Sequence, residues 1–481
     1  MHRTLLLTPL LAALCACSAW AQPATIPAPQ PAREGQRTDD RRPDQPITVD
    51  AFGRPVELTG SWEYTFEKRG NFDLNKASAR DRRVGEHEVK LEARTRPGPR
   101  TEVFVQGVGL HETRRTQGSV STRSKSFERG QSWAKFEGLA GTPWGLQVGR
   151  VALIDRRAWW WDDDLDAARV FAAGEGWRID TGLGKELMRV SSADSGIVSS
   201  QRGVLRWFGQ ATWQPARRHA LDLFWLRAND RSGQTAPGSS LGTEDATDPS
   251  DLKASWVGVR ASGEWRTDNG PRLAYWVDTA WLRGREVVTD FTEEADGRFT
   301  AGASTARRVR GQAVDLGTTL ILPLSLRPSV SVAYARGSGG QRSASRDDNF
   351  RQTGLQENKA RLAGVKRLRR YGELLQPELS NLSVTTLGAG VRLLDNSSLE
   401  LIGHRYRQIV ASTALSGSRL GEDPQGSHTD IGREIDVVLA LREWRQLELT
   451  LRWSRFTPGA AFAEDRRDPA HALEFGAALN F

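Results

Sequence analysis

From Val56 to Phe481 the chain repeats one pattern: short segments in which apolar and polar side chains alternate with period two, which marks β-strands. In "QLELTLRW", Leu447, Leu449, Leu451 and Trp453 share one face, and Glu448, Thr450 and Arg452 the other. "GREIDVVLALREW" sets Ile435, Val437, Leu439 and Leu441 against Glu434, Asp436 and Arg442, and "HALEFGAALNF" sets Leu473, Phe475, Leu479 and Phe481 against Glu474 and Asn480. A soluble antiparallel sheet with one wet face alternates in the same way. Three features point elsewhere. The polar faces carry full charges, which a dry sandwich core excludes and a water-filled lumen accepts. Seventeen tryptophans, among them Trp144, Trp207, Trp213, Trp265, Trp281, Trp444 and Trp453 near strand ends, suit girdles at two lipid interfaces. The final Phe481 resembles the C-terminal aromatic by which bacterial outer-membrane barrels are recognised for assembly.

Loop lengths carry the argument further. Short links ("RPGPR", "AGTP", "AGEG", "QPARRH", "TDNGPR", "PLSLRP", "LLDNSS", "EWRQ") alternate with polar excursions near 69–83, 115–128, 155–166, 189–202, 230–250, 286–310, 338–380, 411–431 and 459–470. Tight periplasmic turns and wandering extracellular loops alternate in this way. The count predicts an all-β fold, a transmembrane antiparallel β-barrel of about 18 strands over residues 51–481, wide enough for an aqueous channel.

The N-terminus is consistent with that location. Met1-His-Arg leads into "TLLLTPLLAALCAC" and "SAWA", so residues 1–21 are read as a signal peptide cut after Ala21, before Gln22. Cys15 and Ala16 make a poor lipobox for the rival reading, a lipoprotein anchored through Cys17. Both cysteines fall in the leader, so the expected mature chain has neither disulfides nor thiolate chemistry. Residues 22–50, rich in Pro and Gln, are expected to form a disordered periplasmic arm. Export argues against nucleic acid as the partner of a chain with 67 Lys and Arg against 59 Asp and Glu.

Enzyme signals are sparse. The seven histidines are scattered, and "YARGSGG" lacks the lysine of a phosphate loop. In "WWWDDDLDA", Asp162, Asp164 and Asp166 have calcium-loop spacing, but Ala167 stands where the glycine belongs and no glutamate closes the set; the tryptophans are expected to anchor the loop base at the outer interface. No enzyme activity, cofactor or metal is expected. Inward positions mix Lys90, Arg206, Arg260, Arg392, Arg442 and Arg452 with Glu88, Glu92, Asp222, Asp278, Asp315, Glu434, Asp436, Glu448 and Glu474. The charge imbalance lies in the longest excursion, where residues 340–373 hold nine Lys or Arg against four acids. Folded inward, that loop makes a positive constriction; left outside, it meets lipopolysaccharide phosphates. Val365, Leu368, Tyr371 and Leu375 fit one face of a short helix, and an extended loop fits as well.

"YARGSGG" (334–340), "FRQTGLQEN" (350–358), "YGELLQPELSNL" (371–382) and "DIGREIDVV" (430–438) resemble the outer-membrane alginate-export porin family of Gram-negative bacteria, as do, more weakly, residues 148–167 and "FTPG" (456–459). The resemblance implies an eighteen-stranded barrel through which an anionic exopolysaccharide, alginate or a relative, diffuses outward past a basic constriction, delivered by periplasmic polysaccharide-secretion proteins. Carried over by position, the constriction falls on Lys359 and Arg367, with a pore acid at Asp162. Other expected bases meet Glu57, Gly130, Ala152 and Thr450, with Arg129, Arg150 and Arg452 close by and Arg94 serving for another. The expected partners are thus the polysaccharide, outer-membrane lipid and lipopolysaccharide, and secretion proteins, around a monomer. An anion-selective uptake porin and an extracellular β-rich polysaccharide-acting enzyme or adhesin are the alternatives.

Overall fold

Eighteen antiparallel strands realise the alternation: β1 (Arg54–Gly70), β2 (Arg82–Gly98), β3 (Thr101–Thr116), β4 (Thr122–Phe136), β5 (Trp144–Ile154), β6 (Asp162–Gly174), β7 (Trp177–Gly184), β8 (Leu205–Ala216), β9 (His219–Asn229), β10 (Ser250–Arg266), β11 (Arg272–Glu293), β12 (Phe299–Ile321), β13 (Ser329–Gly337), β14 (Leu382–Leu394), β15 (Ser397–Gln408), β16 (Asp430–Leu441), β17 (Leu447–Pro458) and β18 (Ala470–Asn480). Each pairs with its neighbours in sequence, and β1 closes the barrel on β18 from Ser61↔Asn480 to Gly70↔His471. Closure leaves no unpaired edge, which a bilayer requires of any sheet that crosses it. The computed structural model describes residues 46–481 apart from 52, 78, 243–246, 341, 342 and 344. The expected leader, both cysteines and most of the expected arm lie outside the described residues. The arm's last residues are ordered: Ile47–Ala51 is a short strand paired with Arg54–Leu58.

Side-chain direction follows the predicted parity. Leu451, Trp453, Ile435, Leu473, Phe475 and Phe481 are exposed on the outer wall, while Glu434, Asp436, Glu448 and Arg442 are buried inside. Outward tryptophans form two levels, with Trp144, Trp177, Trp213, Trp265 and Trp444 toward the short turns and Trp207, Trp281 and Trp453 toward the long loops. All eight short links are the turns at the periplasmic end.

Two excursions are shorter than expected. β11 and β12 pair from Arg272↔Ile321 up to Glu293↔Phe299, leaving only residues 294–298 as a turn where 286–310 was expected. β3 and β4 likewise leave only residues 117–121. Polar composition marks where the chain leaves lipid, not where the ladder ends, because backbone hydrogen bonds continue into water at little cost.

Candidate functional site

The longest loop, residues 338–381, folds into the barrel and lies against the inner faces of β12–β17. Among its described residues it forms no helix; its regular elements are a small ladder, Lys359↔Arg369 and Ala360↔Leu368, and the pair Arg346–Asp347, which adds in parallel to Arg308–Val309 of β12. Inward side chains of the wall capture its backbone. Glu434 accepts from the amides of Leu374 (2.7 Å) and Leu375 (3.0 Å), Glu400 from Gly364 (3.0 Å), and the Ser398 hydroxyl from Val365 (3.0 Å). Arg442 donates to the Val365 carbonyl at 2.7 Å, and Lys366 pairs with Glu448. Leu368, Leu374, Leu375 and Leu379 are buried, so the spacing that suggested a helix face reflects a plug packed on several sides. Gly311 makes room, since a Cβ there would come within 2.5 Å of the Phe350 Cα.

A second element enters from the opposite wall. Residues 155–161, the tip between β5 and β6, reach across the lumen to β10–β12. Asp155 caps the tip by accepting from the amides of Trp159 (3.0 Å) and Trp160 (3.1 Å), and its carboxylate takes the Arg260 guanidinium through two bonds. Arg157 lies 3.3 Å from Asp278 and 3.5 Å from Asp315, above the Trp276 ring. Trp159, Trp160 and Trp161 are therefore core residues inside the lumen, not interfacial anchors. Trp160 stacks on Phe224, and a Cβ on Gly258 would overlap its ring. The three acids expected to frame a loop instead open strand β6.

The loop and the tip meet at mid-lumen. Arg367 donates to Asp162 at 2.7 Å, and both are nearly inaccessible. Arg370 lies 3.1 Å from Asp315, to which the Tyr371 hydroxyl donates at 2.6 Å while accepting from the Trp159 indole at 2.8 Å. Thr353 donates to the Trp160 carbonyl at 2.5 Å. Lys359 pairs with Glu357 at 2.9 Å, and burial, reinforced by nearby Arg369, lowers its pKa.

The remaining expected site residues are spread over the wall. Arg94 lies inside on β2, paired with Glu102 at 2.7 Å and stacked over Phe104. Arg452 pairs with Glu474 and lies 3.8 Å from Glu373 of the loop. Arg129 and Arg150 mark a seam. β4 pairs with β5 only over Ser132–Phe136, and higher up the wall is completed by residues 190–192, with Arg129 donating its amide to the Val190 carbonyl (2.9 Å) and Ser192 to that of Phe127 (2.8 Å). At this branch Arg129 pairs with Asp166 and Arg150 with Glu186 (3.0 Å). Lys359, Arg367 and Asp162 are thus brought together at mid-lumen, and Arg129 and Arg150 at the seam, where they approach the same Glu186 at 3.8 and 3.0 Å.

Below the plug, between the short turns and the tip, lies a cavity of about 670 Å³. Nine arginines line it (Arg156, Arg157, Arg169, Arg178, Arg218, Arg260, Arg266, Arg272 and Arg361) against four acids, Asp155, Asp180, Asp222 and Glu264. Asp180 and Glu264 are occupied by Arg178 and Arg272, and Asp155 by Arg260, so the surface facing the water is basic. Sequence reasoning missed most of this set because it looked for the positive surface in the loop. Inward parity on β6–β11 was the available signal.

The closed barrel, its apolar outer band and its charged lumen define an outer-membrane β-barrel of the porin class. Solved structures with this fold include Pseudomonas aeruginosa OccD3 (OpdP), with a TM-score of 0.55 at 10% identity over 92% of this chain and 95% of that one, and OccK7 (OpdD), at 0.54 and 12% over 89% and 99%. Residues 54–474 match the Alginate export family, and the chain belongs to it. Its curated relatives include the alginate production protein AlgE of Pseudomonas aeruginosa (27% identical over 64% of this chain and 62% of that protein) and of Pseudomonas syringae pv. tomato (26%, 68% of each). The aligned region thus spans somewhat under two thirds of the Pseudomonas aeruginosa relative.

Proposed function

We propose that this protein is a passive outer-membrane channel for export of alginate or a closely similar anionic polysaccharide. The arginine-rich cavity at the periplasmic end is the observation that carries this reading. A polyuronate presents one carboxylate per sugar, and guanidinium groups bind carboxylates in charge-assisted pairs weak enough, when half-solvated, to be passed along in series. In this reading the cavity is the receiving vestibule, and the loop with the β5–β6 tip is a closed gate above it. Arg367 and Lys359 act only when the loop moves: the polymer carboxylate replaces Asp162 on Arg367, so opening exchanges one charge-assisted bond for another. Periplasmic secretion proteins deliver the chain, and a single barrel suffices as the working unit.

Planar-bilayer conductance tests this. The expected result is an anion-selective current once the loop is removed, blocked by oligouronates from the periplasmic side, with selectivity reduced by Lys359→Glu plus Arg367→Glu in the intact chain when it opens. A cation-selective current, or no block by oligouronates, would overturn the reading. Block only from the extracellular side would favour uptake of acidic oligosaccharides.

A further inference from the structure

The lumen does not hold all of the positive charge. On β10–β12 a basic cluster faces outward, just above the apolar band. Lys253, Arg285 and Arg308 lie in one row across the three strands, and in the next row down Arg283 stands opposite Arg310. The row below that is Val257, Trp281 and Gln312, of which Val257 and Trp281 are exposed to the bilayer. All five basic residues are exposed.

The inner face of the same strands behaves differently. Glu286, one residue along from Arg285, points inward and holds Arg307 at 2.7 Å and Arg351 at 2.5 and 2.8 Å. Outside, Arg310 has Asp348 at 3.9 Å, and the other four have no carboxylate within ion-pair distance among the described residues. Like charges directly opposite on neighbouring strands repel, and this surface has four such pairs: Lys253↔Arg285, Arg285↔Arg308, Arg283↔Arg310 and, where the long loop joins β12, Arg308↔Arg346, the last eased by Asp348 on Arg346. An arrangement of this kind is stable when an external anion occupies it. The pattern recurs across the barrel, where exposed Arg405 stands opposite exposed Arg433 two residues beyond Ile435 of the apolar band.

We propose that this outward cluster is a binding site for the phosphorylated glycolipid of the outer leaflet, lipopolysaccharide, through its headgroup phosphates. The position selects the ligand. Strands about 4.8 Å apart, with side chains repeating about every 6.8 Å along each, place the bases as a compact lattice at headgroup height. Guanidinium groups there meet phosphate in a partly desolvated layer, where such pairs are strongest. The site is independent of what the lumen carries.

The test uses the full chain refolded in detergent and titrated with diphosphorylated lipid A, read by native mass spectrometry. Binding at least tenfold tighter than that of dephosphorylated lipid A is expected, with the preference lost in Arg283→Gln/Arg285→Gln/Arg308→Gln and retained when the same residues become Lys. Heat-modifiable gel mobility verifies that each variant is folded. Should the Gln variant not fold, Arg285→Gln alone is expected to weaken binding severalfold. Equal binding of both lipids, or unchanged binding by a folded Gln variant, would overturn the proposal. Displacement of lipid A by oligouronate would overturn it in favour of a polysaccharide tether.

Discussion

The two halves of the lumen are built from the same kind of strand and hold opposite contents. Along β13–β17 the inward carboxylates Glu400, Glu434 and Glu448 are consumed by the backbone and bases of the folded loop. Along β6–β11 the inward Arg266 and, at the β8–β9 turn, Arg218 face an open cavity. Charge inside a barrel is therefore of two kinds. Paired and buried, it fixes an insert in place; half-solvated, it remains available to a ligand. Arg367 and Asp162 sit where the halves meet and belong to the first kind.

The most forceful way to break this contrast is to empty the filled half. Deleting residues 351–371 is expected to raise single-channel conductance at least about tenfold, as an unobstructed lumen of eighteen strands forms a wide aqueous pore. A conductance unchanged by the deletion would mean that the loop is not the obstruction. Next in size is Asp155→Ala, which leaves Arg260 buried without its main partner and removes the cap of the tip. Breaking a buried pair in this way costs about 3–5 kcal/mol, seen as a lower temperature for loss of heat-modifiable gel mobility together with a leak current. Asp162→Asn keeps the shape of the gate but removes the charge facing Arg367. A loss of about 1–3 kcal/mol is expected to appear as more frequent spontaneous opening, with the unfolding temperature of the barrel barely moved. The smallest effect is expected in the open half. Arg218→Gln with Arg266→Gln should reduce anion selectivity, measured as reversal potential in a salt gradient, without altering how often the gate opens. An effect on opening instead would place these arginines in the gate.

The seam at β4 and β5 is a further contrast with the rest of the wall. Most strands pair with both sequence neighbours along most of their length; β12 meets β13 only over Ala313–Ile321, with Arg346–Asp347 of the long loop beside it higher up, and here a hairpin turns inward and residues 190–192 of a later loop complete the wall. Nothing in the alternation of β5 announces this. Its outward face simply stops being outward, which is why Arg150 and Asp166 are buried at a position where parity alone would place them in lipid.

Much of the architecture was legible because it depends on nearest neighbours along the chain. Period two assigns Leu449 and Glu448 to opposite faces wherever β17 lies, and the alternation of tight turns with long excursions orients every strand. The inward set from Lys90 to Glu474 was read in this way. Of the expected site residues, Lys359, Arg367 and Asp162 lie together, Arg129 and Arg150 share Glu186 at the seam, and Arg94 and Arg452 keep separate partners. The calcium spacing of Asp162, Asp164 and Asp166 and the helical spacing of Val365 to Leu375 were patterns without the structures they suggested, since local spacing is shared by strands, loops and plugs alike.

By itself, then, the sequence determined a membrane barrel, its strand order and, away from the β4–β5 seam, the side to which strand residues point, because those follow from the pleat and from the cost of exposing a backbone to lipid. Only the tertiary structure decided that the basic loop lies inside, that the tryptophan cluster is core, and which arginines are occupied and which are available. Those outcomes depend on contacts such as Arg367 with Asp162, 205 residues apart. No local period encodes a pairing over that distance; it is set by which charges the closed wall brings within reach.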